Sequence, residues 1–141
     1  MSKHFFFLKR NSSPNRILFL GDLMDGGREW TDRVWDVEWN RFQTIFKADY
    51  LKRNNATKFH FVAGNHDIGV DKQIVSWAAQ RYRHRISDLN YVFEEKGHII
   101  VVLDTISYEN PNPTINGESK RFLQFVLESM SLFLFFAFRQ S

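Results

Sequence analysis

Two short strings hold the residues most able to do chemistry. Gly21-Asp22-Leu23-Met24-Asp25 places two carboxylates three positions apart, and Gly64-Asn65-His66-Asp67 places a carboxamide, an imidazole and a carboxylate in succession. Carboxylate, carboxamide and imidazole together suit a hard or borderline divalent metal such as manganese, iron or zinc. An imidazole can also move a proton, because its charge changes near neutral pH. Taken singly, Asp22 and Asp25 fit loop or helix-capping acids, and Asn65 and His66 fit turn residues. Their joint occurrence at two equivalent places points to a site. The chain has no cysteine, which excludes disulfides, Cys-ligated zinc and thiol nucleophiles.

Each string directly follows an apolar run, Arg16 to Leu20 (RILFL) in one case and Lys58 to Ala63 (KFHFVA) in the other. Such runs read as buried strands, and the carboxyl ends of strands are where α/β sheets present ligand-binding loops. Small residues at Gly21 and Gly64 let the backbone turn there and bring the side chains into one crevice. Between the runs, Thr31 is a possible N-cap with Asp32 in the first turn. Trp35, Trp39, Phe42, Ile45 and Phe46 then step by three or four, predicting a helix that ends around Arg53, Asn54 and Asn55. That stripe reads as core.

A second helix is expected from Asp71 to about His84, with Ile74, Ala78 and Tyr82 on one side. Tyr91 to Glu95 and His98 to Asp104 flank Lys96-Gly97, the pattern of a β-hairpin with a two-residue turn. Pro111 and Pro113 read as loop, and Ser119 as the cap of a third helix carrying Phe122, Phe125 and Val126. Strand alternating with helix makes this an α/β chain. His60 reads as an edge or outward-facing strand residue, His84 as a surface residue, and His98 as an ordinary hairpin residue.

The 141 residues amount to one small domain. Nineteen basic against sixteen acidic residues give a net charge of +3 spread along the chain, which does not argue for a nucleic acid partner. With 43% hydrophobic and 25% charged residues, the composition is that of a globular protein. Fifteen Phe, four Trp and four Tyr supply unusual aromatic bulk, so some of this surface is expected to want a partner, a membrane or a missing part of the domain. The run Phe5 to Leu8 is too short for a signal peptide, and Leu132 to Phe138 too short for a membrane span of about 20 residues. A soluble chain or a piece of a larger one is the expectation. The sequons at Asn11 and Asn55 are compatible with a lumenal location.

The strings GDLMD and GNHD together resemble the second and third signature blocks of the calcineurin-like metallophosphoesterases. The longer string Phe19 to Trp30 (FLGDLMDGGREW) and the segment His98 to Ser107 (HIIVVLDTIS) are similar to one branch of that family. Its members are membrane-bound phosphodiesterases that remove ethanolamine phosphate from glycosylphosphatidylinositol (GPI) anchors in the early secretory pathway. The resemblance covers roughly residues 16–127, between a polar lead-in at 1–15 and a Phe-rich tail at 128–141. It implies a partial αββα sandwich with two divalent metal ions, manganese before iron or zinc, at the strand ends. It further implies Asp22 as the carboxylate bridging the metals and Asn65 as a metal ligand. His66 matches the proton donor to the leaving oxygen, Asp25 the carboxylate that orients it, and Asp67 supports its loop. Many relatives carry an arginine where this chain has Gly26, and Arg28 is the candidate to reach the substrate phosphate instead.

By the same resemblance the substrate is a phosphodiester, expected to be a GPI-anchor glycolipid, and no nucleic acid. The place of action is the endoplasmic reticulum or early Golgi membrane, with the catalytic domain lumenal and membrane association through parts outside this chain. The family's upstream Asp-x-His block, later lone histidine and downstream Gly-His-x-His block have no match here. Gly97-His98-Ile99-Ile100 has isoleucine where the last histidine belongs. The chain therefore reads as a central slice of a catalytic domain, with Met1 equivalent to an interior methionine. Its first helix and tail are expected to leave aromatic surface partly uncovered. Two other readings remain open: a phosphoesterase of the same superfamily acting on nucleotides or phosphoproteins, and an inactive fragment that at most binds a partner.

Overall fold

The computed structural model describes residues 4, 5, 7, 11, 12, 14–47 and 57–139, with residues 71 and 131–139 described by backbone alone. Strand β1 (Arg16–Leu20) leads through a loop to helix α1 (Asp32–Phe46) and strand β2 (Lys58–Val62). The short helix α2 (Asn65–Ile68), a 3-10 turn at Asp71–Gln73 and helix α3 (Ser76–Arg85) follow. Strands β3 (Tyr91–Glu95) and β4 (His98–Val102) precede the short helix α4 (Thr105–Tyr108) and the long helix α5 (Pro113–Arg139).

β1 and β2 pair in parallel from Arg16 opposite Lys58 to Leu20 opposite Val62, so both strands end side by side. β3 and β4 form the expected hairpin, with Glu95 opposite His98. The period-two alternation of strands then sorts the side chains into layers. On one face of the parallel pair, Phe19 packs on Phe42 and Phe46 of α1, and Phe61 lies against Trp39. On the other face, Arg16 donates to the Glu94 carbonyl (2.7 Å) and pairs with Glu95, while the His60 ring stacks on Phe93 at 3.6 Å. The Tyr91 hydroxyl also donates to the Phe61 carbonyl and accepts from the Phe61 N–H, each at 3.0 Å. Beyond the hairpin, α5 docks through Ser119, whose hydroxyl accepts from Asn90 Nδ2 at 3.1 Å. Helix, sheet, sheet and helix give a partial αββα arrangement of the α/β class.

Several expectations change at this level. Trp35, Trp39 and Phe42 are buried, Trp39 and Phe42 on Phe61 and Phe19 of the parallel sheet and Trp35 against Arg81 and Arg85 of α3, while Phe46 borders an open cleft. The side chains of 131–139 lie outside the described residues. α1 ends at Phe46 because Lys47 turns left-handed (φ 48°, ψ 38°), seven residues before Asn54. Residues 53–55, and with them the Asn55 sequon, lie outside the described residues. The second helical segment is broken between Gln73 and Ser76, where the Val75 N–H bonds to the Ile68 carbonyl instead of extending a helix. α5 begins at Pro113, with the Asn112 side chain accepting from the Thr114 N–H at 3.0 Å. Proline at the first helical position after an asparagine cap is a favoured start. Ser119 therefore lies inside the helix and is buried rather than capping it. His60 sits between the two sheets and not on an outward face, with Nε2 at 2.8 Å from Arg16 Nη1. Among the described residues, no helix is long and apolar enough to cross a membrane.

Candidate functional site

The two loops that follow β1 and β2 touch through their glycines. Gly21 has φ +91°, a conformation a side chain strains to adopt, and a Cβ on it would lie 3.0 Å from Gly64 Cα. Gly64 itself has an ordinary φ of −101°, so its need for glycine is one of space. A Cβ there would meet Asp22 Oδ1 at 2.1 Å. Asp22 is also left-handed (φ 49°), a region aspartate tolerates better than most residues. That turn brings its carboxylate over the start of α2, where Oδ1 accepts from the His66 N–H at 3.1 Å.

Asp67 ties the loops from beneath. Its buried carboxylate accepts from the backbone N–H groups of Leu23 (3.1 Å), Met24 (3.3 Å) and Gly64 (2.8 Å). Burial pushes its pKa up to about 6, with the neighbouring Asp22 charge acting the same way and the three amides opposing it. A carboxylate committed to three backbone donors of two loops fixes their relative position.

The His66 ring lies against Asp25. Nδ1 is 2.7 Å from the Asp25 carbonyl and 3.1 Å from its Oδ1. A carbonyl only accepts, so Nδ1 carries the proton and Nε2 is left as the nitrogen that can give or take one. The Asp25 carboxylate is 92% exposed, placing this pair at the mouth of the site. Arg28 joins the same rim: its N–H donates to the His66 carbonyl (3.0 Å) and its Nη1 to the Asn65 carbonyl (3.2 Å). Its Nε is paired with Glu29 at 3.2 Å. A cleft of about 400 Å³ opens next to Asp22 and Asp25, walled by Trp30, Phe42 and Phe46.

The structure thus brings Asp22, Asp25, Arg28, Asn65, His66 and Asp67 together. Sequence reasoning missed Arg81. This buried residue of α3 donates to the carbonyls of Gly27 (2.5 Å) and Trp30 (2.9 Å) and to Asp32 Oδ1 (2.8 Å). It therefore anchors the segment between Asp25 and α1. No local signal marks it, since an arginine on a polar helix reads as solvent-facing.

The donor set for a metal is partial. Asp22 offers a carboxylate and Asn65 a carboxamide, but among the described residues no group of three or more His, Asp or Glu side chains gathers. A hard divalent cation takes about six oxygen or nitrogen ligands, so these residues do not by themselves complete a site for one ion, still less two.

Comparison with known proteins agrees with the geometry at the level of family. The calcineurin-like phosphoesterase model matches residues 3–131. Cell division control protein 1 of Saccharomyces cerevisiae is 36% identical over 111 residues, 78% of this chain and 22% of that protein. Metallophosphoesterase 1 of Ailuropoda melanoleuca is 27% identical over 120 residues (85% and 29%), and that of Mus musculus 25% over 107 residues (76% and 26%). The chain spans about a quarter of the length of these relatives. None of these names mentions a GPI anchor, and no solved structure matches. A family of hydrolases, typically with divalent metals, is nevertheless reached from both directions. Its model spans both strand-end loops, and the chain belongs to the calcineurin-like phosphoesterases.

Proposed function

We propose that this chain supplies the central part of a metal-dependent phosphodiester hydrolase that removes ethanolamine phosphate from GPI anchors. The observation that carries the reading is the His66–Asp25 pair held beside Asp22 and Asn65 at the ends of two parallel strands. Support for the substrate comes from the string Phe19 to Trp30, which resembles the anchor-remodelling branch. The reading includes two divalent cations, manganese before iron or zinc, toward which Asp22 and Asn65 contribute one carboxylate and one carboxamide. It also includes action at the endoplasmic reticulum or early Golgi membrane with the domain lumenal.

The chain's own residues divide the remaining work. With Nδ1–H directed to Asp25, Nε2 of the protonated His66 ring is the atom that gives a proton to the departing alkoxide. Asp25 holds the ring in that tautomer. Arg28, fixed on the rim by the Asn65 carbonyl, is the cation for a phosphate oxygen. Asp67 keeps the two loops in register.

The test compares Asp22→Asn with His66→Asn in a chain that also carries the remaining metal donors. His66→Asn is expected to lower turnover of an alkyl phosphodiester by about 10²–10⁴-fold while metal content holds. An aryl ester, whose leaving oxygen needs no proton, should recover most of that loss. Asp22→Asn should lose metal and activity on both esters. Full activity and metal in both variants would refute the roles. A GPI-anchor assay against nucleotide and phosphoprotein substrates decides the substrate, and the 141-residue chain with manganese alone should turn over little or nothing.

A further inference from the structure

Trp77 stands in the first turn of α3 and is 47% exposed, high for so large an apolar ring. One face of its indole is braced, because Arg81 Cζ lies 4.7 Å from the ring centroid. Arg81 is itself locked by the carbonyls of Gly27 and Trp30 and by Asp32. The ring is therefore supported on the same segment that leaves Asp25. It also stands at the site's end of the fold. β2 runs into α2, and the Val75 N–H donates to the Ile68 carbonyl at 3.3 Å, so α3 starts at the end of the sheet where Asn65 and His66 lie. Gly27, whose carbonyl Arg81 holds, sits against His66: a Cβ on it would be 3.1 Å from the His66 carbonyl oxygen. Two residues, Arg81 and Gly27, thus connect the indole to the backbone of His66 and Asp67.

The surroundings select the ligand. An aromatic face carries negative charge density and attracts cations or polarised C–H groups. Arg81 already places a full positive charge against the ring, so an ammonium on the opposite side would be repelled. An acyl chain or bilayer would call for a contiguous apolar patch. Here the exposed residues before and after Trp77 in the chain are, apart from Val70, the polar Lys72, Gln73, Ser76 and Gln80, which offer hydrogen bonds. A neutral ring with a C–H face and a hydroxyl rim meets both demands.

We propose that Trp77 is a stacking platform for a neutral sugar ring attached to the phosphodiester, held beside the His66 site by the Arg81 brace. This rests on the phosphodiesterase reading for its substrate, and on the indole alone for its ligand class. The experiment titrates the 141-residue chain with three probes: methyl mannoside, methyl 2-aminoethyl phosphate, and a methyl mannoside bearing that aminoethyl phosphodiester. Binding is followed by saturation-transfer NMR and tryptophan fluorescence in the native chain, Trp77→Ala and Trp77→Phe.

The sugar-bearing diester should bind about 10-fold more tightly than the sugarless one. Trp77→Ala should abolish that ratio, Trp77→Phe should keep most of it, and sugarless binding should not change. Trp77-dependent transfer to methyl mannoside alone supports the platform even where the sugarless diester fails to bind, because the phosphodiesterase reading is judged separately by the Asp22 and His66 variants in a chain with the remaining metal donors. Equal binding of the two diesters by the native chain, a ratio that survives Trp77→Ala, or no Trp77-dependent contact with any sugar probe overturns the platform.

Discussion

A methyl group added at Gly64 would lie 2.1 Å from Asp22 Oδ1 and 2.3 Å from the Asp22 nitrogen, both parts of a left-handed residue with little room to yield. Gly64→Ala should therefore push the two loops apart and cost about 1–3 kcal/mol, in the range of overpacked sites. Urea unfolding measures the loss, and the amide NMR signal of His66, bonded to Asp22, should shift with it. A variant with native stability and an unmoved His66 amide would show that the loops are not packed this tightly. Much of this site was legible in residue types, because glycine, acid, amide and imidazole seldom follow two apolar runs unless the strand ends bind something. Asp22's left-handed turn was not legible, being imposed by the approach of Gly64 from 42 positions away. Arg81 was hidden for a similar reason: only the folded chain brings the carbonyls of Gly27 and Trp30 around its guanidinium.

Elements carry their own signals, and His60 shows where these mislead. A polar ring between Phe59 and Phe61 in a short strand suggests solvent, yet both faces of β2 are covered and the ring is half-buried on Phe93. Burial, then the charges of Arg16 and Lys58, hold its pKa below the ordinary 6.5. The folded chain therefore binds fewer protons at this ring than the unfolded chain does. Stability from this group is full above pH 6.5 and is lost as pH falls below it toward the folded value. His60→Gln should flatten the acid side of the stability curve between about pH 7 and 5, as read from denaturant midpoints at each pH. A slope identical to that of the native chain would mean that His60 does not set the acid limb. Most strand limits were clear because apolar runs stop at Gly21 and at the Lys96-Gly97 turn, but β4 stops at Val102 rather than Asp104, whose carboxylate instead caps α4 by accepting from the Ser107 N–H. Helix limits were not: Lys47 carries no stop signal, and Ser119 resembles a cap more than Asn112 does until Pro113 is read as a first helical residue.

For the whole molecule, one stretch of uncovered apolar surface is shared by the hairpin and α5. Val92 and Ile99 of the hairpin and Phe125 and Met130 of α5 line a cleft of about 600 Å³, with Phe125 65% exposed. Such surface favours self-association. Phe125→Glu should raise the concentration at which light scattering first reports aggregates, while shifting stability by no more than about 0.5 kcal/mol. Unchanged scattering would place the association elsewhere. The parallel pairing of β1 with β2 has a further effect, one of timing. Leu20 meets Val62 only after the intervening chain has closed a long loop, a contact that topology makes slow. During synthesis Asp22 and Asp25 emerge first and stay idle until the second strand arrives. The moment at which the two strand-end loops meet is then set by that ring closure, and a change in α1 far from either loop could alter its timing without altering the finished arrangement.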